Sequence, residues 1–129
     1  MPHPFPGHRR TILVVDDERP TLTLLSEYLA SKGFQVLTAR DGQAGLETAR
    51  SARPDLIVLD VMLPRLDGYA VARALKGDPA TAAIPIIIFS SRSSPADRAA
   101  FTAAGADLHV LKPFDPEHLL AKILELLPA

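Results

Sequence analysis

Five short apolar runs, each followed by a segment with helical spacing, constrain the fold of this chain more than any other feature. The runs are short and rich in β-branched side chains, which is typical of buried strands. They are Ile12 to Val15, Phe34 to Leu37 with Thr38, Leu56 to Leu59, Ile86 to Phe89 and the weaker run Leu108 to Leu111. Strands that alternate with helices in this way predict an α/β fold, an open parallel sheet with helices on both faces.

The runs Leu56 to Leu59 and Ile86 to Phe89 are apolar at every position, so both faces of these strands are predicted to be buried. They are therefore expected to be central strands. The segments between the runs carry apolar residues on one stripe at a period of 3.6, and Gly33 and Gly105 stand where a left-handed residue ends a helix. The clearest stripes are Leu22, Leu25 and Leu29 in the first helix, and Leu119, Leu120, Ile123, Leu126 and Leu127 in the last.

Length and composition exclude several classes of protein. A chain of 129 residues can bury one core, so we expect a single domain, which we place over 11–127. The segment 1–10, with prolines at positions 2, 4 and 6, is expected to be a short flexible leader. The 14 basic and 15 acidic residues balance, which disfavours direct nucleic-acid binding. The absence of cysteine excludes disulfides and fits a cytoplasmic protein. No apolar run approaches the ~20 residues of a membrane span, and no signal peptide is recognisable.

Polar side chains gather where the predicted strands end. They are Asp16, Asp17 and Glu18 after the first strand, Asp60 after the third, Ser90 and Ser91 after the fourth, and Lys112 after the fifth. The carboxyl ends of parallel strands meet at one edge of the sheet, where such folds bind their ligands. Carboxylates crowded at one edge repel each other, and a hard cation with oxygen ligands relieves that repulsion.

The donors at this edge suit Mg²⁺, or Mn²⁺ in its place, since one or two carboxylates with water and phosphate oxygens satisfy it. A Ca²⁺ site requires more protein oxygens, and the four scattered histidines argue against zinc. A carboxylate, a hydroxyl and an ammonium beside a cation are the groups that phosphoryl transfer uses. Asp60 is the candidate nucleophile, with Ser90 and Lys112 placed to hold phosphoryl oxygens.

Four motifs together resemble a bacterial two-component response regulator receiver domain of the chemotaxis-regulator type. They are VVDDE at 14–18, VLDVMLPRLDG at 58–68, PIIIFSS at 85–91 and KPF at 112–114. Each motif alone is weak, but four in the right order at predicted strand ends make chance agreement improbable. The resemblance covers about 11–127 and implies a flavodoxin-like doubly wound sheet with strand order 2-1-3-4-5.

The resemblance also implies roles for the residues at the sheet edge. Asp60 would accept a phosphoryl group from a phosphohistidine of a sensor histidine kinase or histidine phosphotransfer protein, with Ser90 and Lys112 contacting that group. Asp17 and Asp60 would ligate Mg²⁺, Asp16 would contribute to the metal site mainly through water, and the backbone carbonyl of Met62 would be a further ligand. Pro64 and Gly68 would shape the loop after the third strand, and the Lys112–Pro113 bond would be cis.

A receiver is a phosphoacceptor that promotes only its own phosphotransfer and dephosphorylation, so we do not expect a separate enzymatic activity. Its phosphorylation would alter the face formed by the fourth and fifth helices and the fifth strand, and so switch binding to a downstream protein. The same face could pair two copies as a homodimer. The sequence fits both a stand-alone regulator and the receiver part of a longer protein.

This chain departs from the family pattern at positions near the site. Most receivers have Tyr or Phe three residues before the lysine, where this chain has His109, so coupling through an aromatic switch is expected to be weaker, pH-sensitive or absent. Ser91 replaces the usual Ala or Gly and narrows access to the phosphoryl group. Met62 and Arg92 occupy positions that tune dephosphorylation in the family.

Other interpretations of these residues remain open at this stage. Asp16 or Asp17 could cap the first helix, and Ser90 and Lys112 could be ordinary strand-end and loop residues. An FMN carrier would not place DDE beside a phosphate, and the chain has no GxxxxGK[ST] or GxGxxG motif. An aspartate-nucleophile phosphatase would need its nucleophile on the first strand and a cap domain. The strongest rival is a pseudo-receiver, a docking module of the same fold whose output does not depend on phosphorylation.

Overall fold

The computed structural model describes residues 9–127, in which five strands and five helices alternate along the chain. The strands are β1 (Thr11–Val15), β2 (Gln35–Ala39), β3 (Leu56–Asp60), β4 (Ile86–Ser90) and β5 (Leu108–Leu111). The helices are α1 (Arg19–Ser31), α2 (Gly42–Ala52), α3 (Gly68–Lys76), α4 (Pro95–Ala103) and α5 (Pro116–Leu126). None of these helices is long and apolar enough to span a membrane. Residues 1–8 of the predicted leader lie outside the described residues.

All neighbouring strands are parallel, and their order is β2-β1-β3-β4-β5, as predicted. The register pairs Val15 with Leu59, Asp60 with Phe89, and Ser90 with Leu111. The carboxyl ends of the strands therefore lie level with each other along one edge. This edge brings together side chains that are far apart in the sequence.

Each face of the sheet has its own core. The face that carries Leu13, Ile57 and Ile88 packs against α2, α3 and α4. The opposite face, which carries Val58 and Phe89, packs against α1 and α5. Every residue of β3 and β4 is buried, so the prediction that these are central strands is confirmed.

Some element ends differ from the sequence-based predictions. β2 begins at Gln35, because the Phe34 N–H donates to the Leu29 carbonyl and still belongs to the end of α1. Gly33 has φ of 97° and Gly105 has φ of 84°, so the predicted left-handed residues follow α1 and α4. Asp60 is the last residue of β3 and not the first residue after it. The strand hydrogen bonding thereby holds the Asp60 backbone in the sheet.

The loop between β3 and α3 packs closely against two glycines. A Cβ atom on Gly42, the first residue of α2, would lie 1.6 Å from the Leu66 carbonyl oxygen. A Cβ atom on Gly68 would lie 2.2 Å from the Asp60 carbonyl oxygen. The Gly68 N–H also donates to the Val61 carbonyl at 2.9 Å. The loop that follows Asp60 is therefore held by backbone contacts that leave no room for a side chain.

Candidate functional site

Three carboxylates meet at the carboxyl edge of the sheet. Oxygen atoms of Asp16, Asp17 and Asp60 lie within 4.8 Å of one another. Asp16 has no exposed surface and Asp60 is 5% exposed, whereas Asp17 is exposed. The Asp16 Oδ1 atom accepts a hydrogen bond from the Glu18 N–H at 2.9 Å. The structure thus brings together the acidic residues predicted from β1 and β3.

Neither aspartate caps α1, so the capping interpretation of Asp16 and Asp17 is wrong. The N-cap residue is Glu18, whose side chain makes no capping hydrogen bond. Pro20 occupies the first turn, where the missing N–H is not needed. Helix capping therefore does not account for the presence of the two aspartates at this edge of the sheet.

Lys112 is the cation of this cluster. Its Nζ atom lies 3.2 Å from Asp16 Oδ2 and 3.3 Å from Asp60 Oδ2. The same Nζ atom lies 4.6 Å from the centre of the Phe89 ring, a cation–π contact that no sequence motif indicated. One ammonium group therefore faces two buried carboxylates, and the cluster keeps an excess of negative charge.

The electrostatics of the cluster follow from that imbalance. Burial raises the pKa of Asp60 above its ordinary value; Lys112 opposes the rise and Asp16 adds to it. Burial alone would lower the pKa of Lys112, but the charges of Asp60 and Asp16 outweigh burial and raise it. The lysine therefore stays charged at neutral pH, and the ionised form of Asp60 is less favourable than it is in water.

Ser90 lies at the same edge, at the end of β4. It is 2% exposed, and its Oγ atom accepts a hydrogen bond from the Arg92 N–H at 2.9 Å. The Lys112 N–H donates to the Ser90 carbonyl at 2.9 Å, which ties β5 to β4 beside the site. The peptide bond between Lys112 and Pro113 is cis, as predicted. A cleft of about 410 Å³ is lined by Asp17, Glu18, Asp60, Met62, Ser90, Ser91 and Lys112.

Met62 follows Asp60 by two residues and lies on the rim of this cleft. Its N–H donates to Asp60 Oδ1 at 3.4 Å, and its side chain points outward so that the residue is 60% exposed. Ser91 lines the cleft too, and its effect on access to the phosphoryl group stays a prediction. The predicted phosphoacceptor, its phosphoryl contacts and the predicted cation ligands therefore line one cleft, except Asp16, which is buried.

His109 lies apart from that cleft. Its ring centre is 3.9 Å from the ring centre of Phe101 in α4, with 38° between the planes. The imidazole therefore packs against α4. No sequence motif marked Phe101 as the partner of His109.

The arrangement of the site suits a small hard cation and a phosphoryl group. Carboxylate oxygens that converge within 4.8 Å are ligands of the type that Mg²⁺ takes, and they leave positions for water and phosphate oxygens. The Lys112 ammonium, 3.3 Å from Asp60 Oδ2, and the hydroxyl of Ser90 in the same cleft supply hydrogen-bond donors. No thiol or imidazole belongs to the cluster, so a zinc site does not fit.

Removal of the Lys112 charge is expected to destabilise the folded protein. Lys112→Met keeps an apolar stem but leaves Asp16 and Asp60 facing each other without a counter-ion. We expect the free energy of unfolding in urea, without divalent cations, to fall by about 2 kcal/mol, below the ~3–5 kcal/mol of a fully buried pair because the Lys112 side chain is 22% exposed.

Lys122→Met is the matched control for that variant. Lys122 forms an exposed ion pair with Glu125 on α5 at 3.1 Å, and such pairs contribute only about 0.3–0.5 kcal/mol. Equal losses of stability in the two variants would contradict the assignment of Lys112 as the counter-ion of the buried carboxylates.

Comparison with known proteins agrees with this geometry. The family model of the response regulator receiver domain matches residues 12–124. The curated response regulator MprA of Mycolicibacterium vanbaalenii is 45% identical over 118 residues, which cover 90% of this chain and 49% of that protein. The chain spans about half the length of the curated relatives it matches.

Solved structures show the same fold. The chemotaxis protein CheY4 of Vibrio cholerae superposes with a TM-score of 0.87 at 31% identity, covering 92% of this chain and 99% of CheY4. The receiver domain of the sensor histidine kinase PA1611 from Pseudomonas aeruginosa, described with a magnesium ion in its active site cleft, gives a TM-score of 0.86 at 28% identity. That match covers 95% of this chain and 100% of the other. The chain described here belongs to the family of response regulator receiver domains.

Proposed function

We propose that this receiver accepts a phosphoryl group on Asp60 from a phosphohistidine of a sensor histidine kinase or histidine phosphotransfer protein. The observation that carries the proposal is the position of Asp60, a nearly buried carboxylate in a cleft where a second carboxylate and an ammonium group converge. Receiver domains are signalling domains, and the phosphoryl group is the signal that this site is built to take.

The transfer requires one bond to break and one to form. A carboxylate oxygen of Asp60 attacks phosphorus, the P–N bond to the donor imidazole breaks, and the new P–O bond leaves Asp60 as an aspartyl phosphate. The displaced imidazole keeps the electron pair of the broken bond and takes a proton from water. Apart from that solvent proton, no further reactant is needed for this balance.

Lys112 and Ser90 are positioned to hold the transferred group. The Lys112 ammonium lies 3.3 Å from Asp60 Oδ2, so a phosphoryl oxygen attached there would remain within its reach. The Ser90 hydroxyl accepts a hydrogen bond from the Arg92 backbone and keeps its own proton to donate. Donors placed where negative charge develops stabilise the transition state of phosphoryl transfer.

Asp16, Asp17, Asp60 and the Met62 carbonyl are the residues that would hold Mg²⁺ or Mn²⁺. A bound divalent cation supplies positive charge for the phosphoryl oxygens, which the single ammonium of Lys112 does not balance. Asp16 also forms an ion pair with the Lys112 ammonium at 3.2 Å, so this aspartate would help to position both the lysine and the divalent cation. The residues therefore fit the ion that the relatives of this chain are expected to use.

The output is proposed to be a change in protein binding at the face formed by α4, β5 and α5. A groove of about 700 Å³ lies on this face. Its lining combines charged side chains with apolar ones, and the apolar ones include Phe101, Leu111 and Phe114. Leu111 is 46% exposed, an apolar side chain available to a downstream protein or to a second copy of the domain in a homodimer. We propose no direct contact of the domain with nucleic acid or membrane.

The proposal is tested by the intact mass of the protein after incubation with acetyl phosphate. We expect a gain of one phosphoryl group with Mg²⁺ and none when a chelator removes the divalent cations. Absence of any gain, with Mg²⁺ binding shown by calorimetry, would overturn the proposal and support the docking module whose output does not depend on phosphorylation.

A further inference from the structure

A row of three rings connects α3, α4 and β5. The Phe101 ring lies between the other two, with ring centres 5.7 Å from Tyr69 and 3.9 Å from His109. Phe101 belongs to α4, Tyr69 to the first turn of α3 and His109 to the edge strand β5. Through the ring of Phe101, α4 therefore contacts both α3 and the edge strand β5.

Phe101 is also the main anchor of α4. Among the residues of α4 that the structure describes, Phe101 is the only one that is buried. The neighbouring helix α3 is held by several buried side chains, Val71 and Leu75 among them. A helix held by one large side chain separates from the core more easily than one held by several.

The His109 imidazole presents a buried nitrogen to this contact. Its Nε2 atom is shielded from solvent and has no hydrogen-bond partner within residues 9–127. A neutral imidazole can leave an acceptor nitrogen in such a place, but an imidazolium carries an N–H at both nitrogens. A buried N–H on a charged ring without an acceptor is strongly disfavoured.

The charges around His109 do not compensate for that burial. Arg98 on α4 repels an imidazolium, and Asp97 on the same helix attracts it, but Asp97 is engaged by the N–H and hydroxyl of Ser94. Burial is the largest effect, Arg98 adds to it, and together they lower the pKa of His109 against the attraction of Asp97.

Other elements around the groove contribute few charges toward this ring. The residue paired with His109 on β4 is Ile88, which is uncharged. The remaining titratable groups that line the groove are Asp107 before β5 and Asp115 and His118 at the start of α5. Asp107 pairs with Lys76 at 3.2 Å and accepts from the Ile86 N–H at 2.8 Å, and Asp115 accepts from the Glu117 N–H at 3.0 Å.

We propose that neutral His109 docks α4 through its stack on Phe101, and that protonation of His109 releases α4 from the sheet as the pH falls. The sign follows from proton linkage. The released helix leaves the imidazole in water, where it binds a proton more readily than it does beneath α4, so acid favours the released state. This device is separate from phosphorylation, since it requires neither Asp60 nor a cation.

Amide hydrogen exchange of the unphosphorylated protein, measured by NMR and expressed as protection factors, tests the proposal. An exposed imidazole titrates near pH ~6.5, so we expect the protection of α4 to fall about tenfold between pH 7.5 and pH 5.5. Amides of β1 and β3 exchange through global unfolding, which also exposes His109, so we expect them to be better protected than the amides of α4 at both pH values. His109→Phe, which retains a ring without a titratable nitrogen, should make the protection of α4 independent of pH.

His118→Gln is the matched control, because His118 is an exposed histidine lining the same groove. This variant should keep the wild-type pH dependence. The proposal is overturned if α4 keeps its protection at pH 5.5, if His109→Phe shows the same fall, or if α4 is as well protected as β1 and β3, which would mean that it opens only by global unfolding. Failure of phosphoryl uptake at Asp60 would leave these measurements unaffected, so the two proposals are tested independently.

Discussion

Asp60→Asn is expected to abolish phosphoryl uptake and, in the absence of divalent cations, to make the protein more resistant to urea. The amide cannot act as the nucleophile, so no mass gain follows incubation with acetyl phosphate. Stability rises because the ionised form of Asp60 is disfavoured by burial and by Asp16. The variant leaves Lys112 paired with Asp16 alone, at 3.2 Å, so the charges of the pair balance.

The measurements are intact mass with Mg²⁺ and the urea midpoint without it. Glu47→Gln removes one negative charge from an exposed position on α2 that does not line the cleft, and should change neither result. A lower urea midpoint for Asp60→Asn would show that the pair with Lys112 stabilises Asp60 more than burial and crowding destabilise it. A persistent mass gain would place the phosphoacceptor elsewhere.

Gly68→Ala is expected to reduce stability by about 3 kcal/mol and to impair phosphoryl uptake in the same variant. The new Cβ atom would lie 2.2 Å from the Asp60 carbonyl oxygen and 2.8 Å from the Val61 Cα atom. Both are backbone atoms of the strand end and its loop, so neither can move aside without displacing Asp60. The strain therefore falls directly on the phosphoacceptor.

Gly77→Ala serves as the comparison, since its Cβ atom would lie 3.2 Å from the Arg73 carbonyl oxygen at the end of the same helix. We expect it to change the free energy of unfolding by less than about 1 kcal/mol and to leave phosphoryl uptake intact. Urea denaturation and intact mass measure both properties. A Gly68→Ala protein as stable as the wild type would show that the loop after β3 is less constrained than its contacts indicate.

The sequence predicted the fold because its hydrophobic pattern is unambiguous in the centre of the sheet. The runs at β3 and β4 are apolar throughout, and only a strand covered on both faces satisfies that pattern. The predicted start of β2 was less accurate, because an apolar residue such as Phe34 fits both the end of α1 and the first position of the strand. Hydrogen bonding to the Leu29 carbonyl decides that it closes the helix.

The candidate site could be predicted because strand ends in a parallel sheet converge, which places Asp16, Asp60 and Lys112 together from their positions alone. The contacts of Phe89 and Phe101 could not be predicted in this way. Phe89 belongs to the apolar run Ile86 to Phe89, and nothing in the sequence distinguishes its side chain from those of its neighbours. Its ring contacts the Lys112 ammonium because β4 and β5 are adjacent strands. Phe101 reaches His109 only through the placement of α4.

The sequence by itself determined the order of elements, the buried strands and the set of polar residues at the sheet edge, because periodicity and strand direction are local properties. Tertiary structure decided the rest. It set the 2.2 Å approach that requires Gly68, the sharing of Lys112 between two buried carboxylates and the stack of Phe101 on His109. These three contacts join segments that are remote in the chain, and their distances are set only when both faces of the sheet are packed.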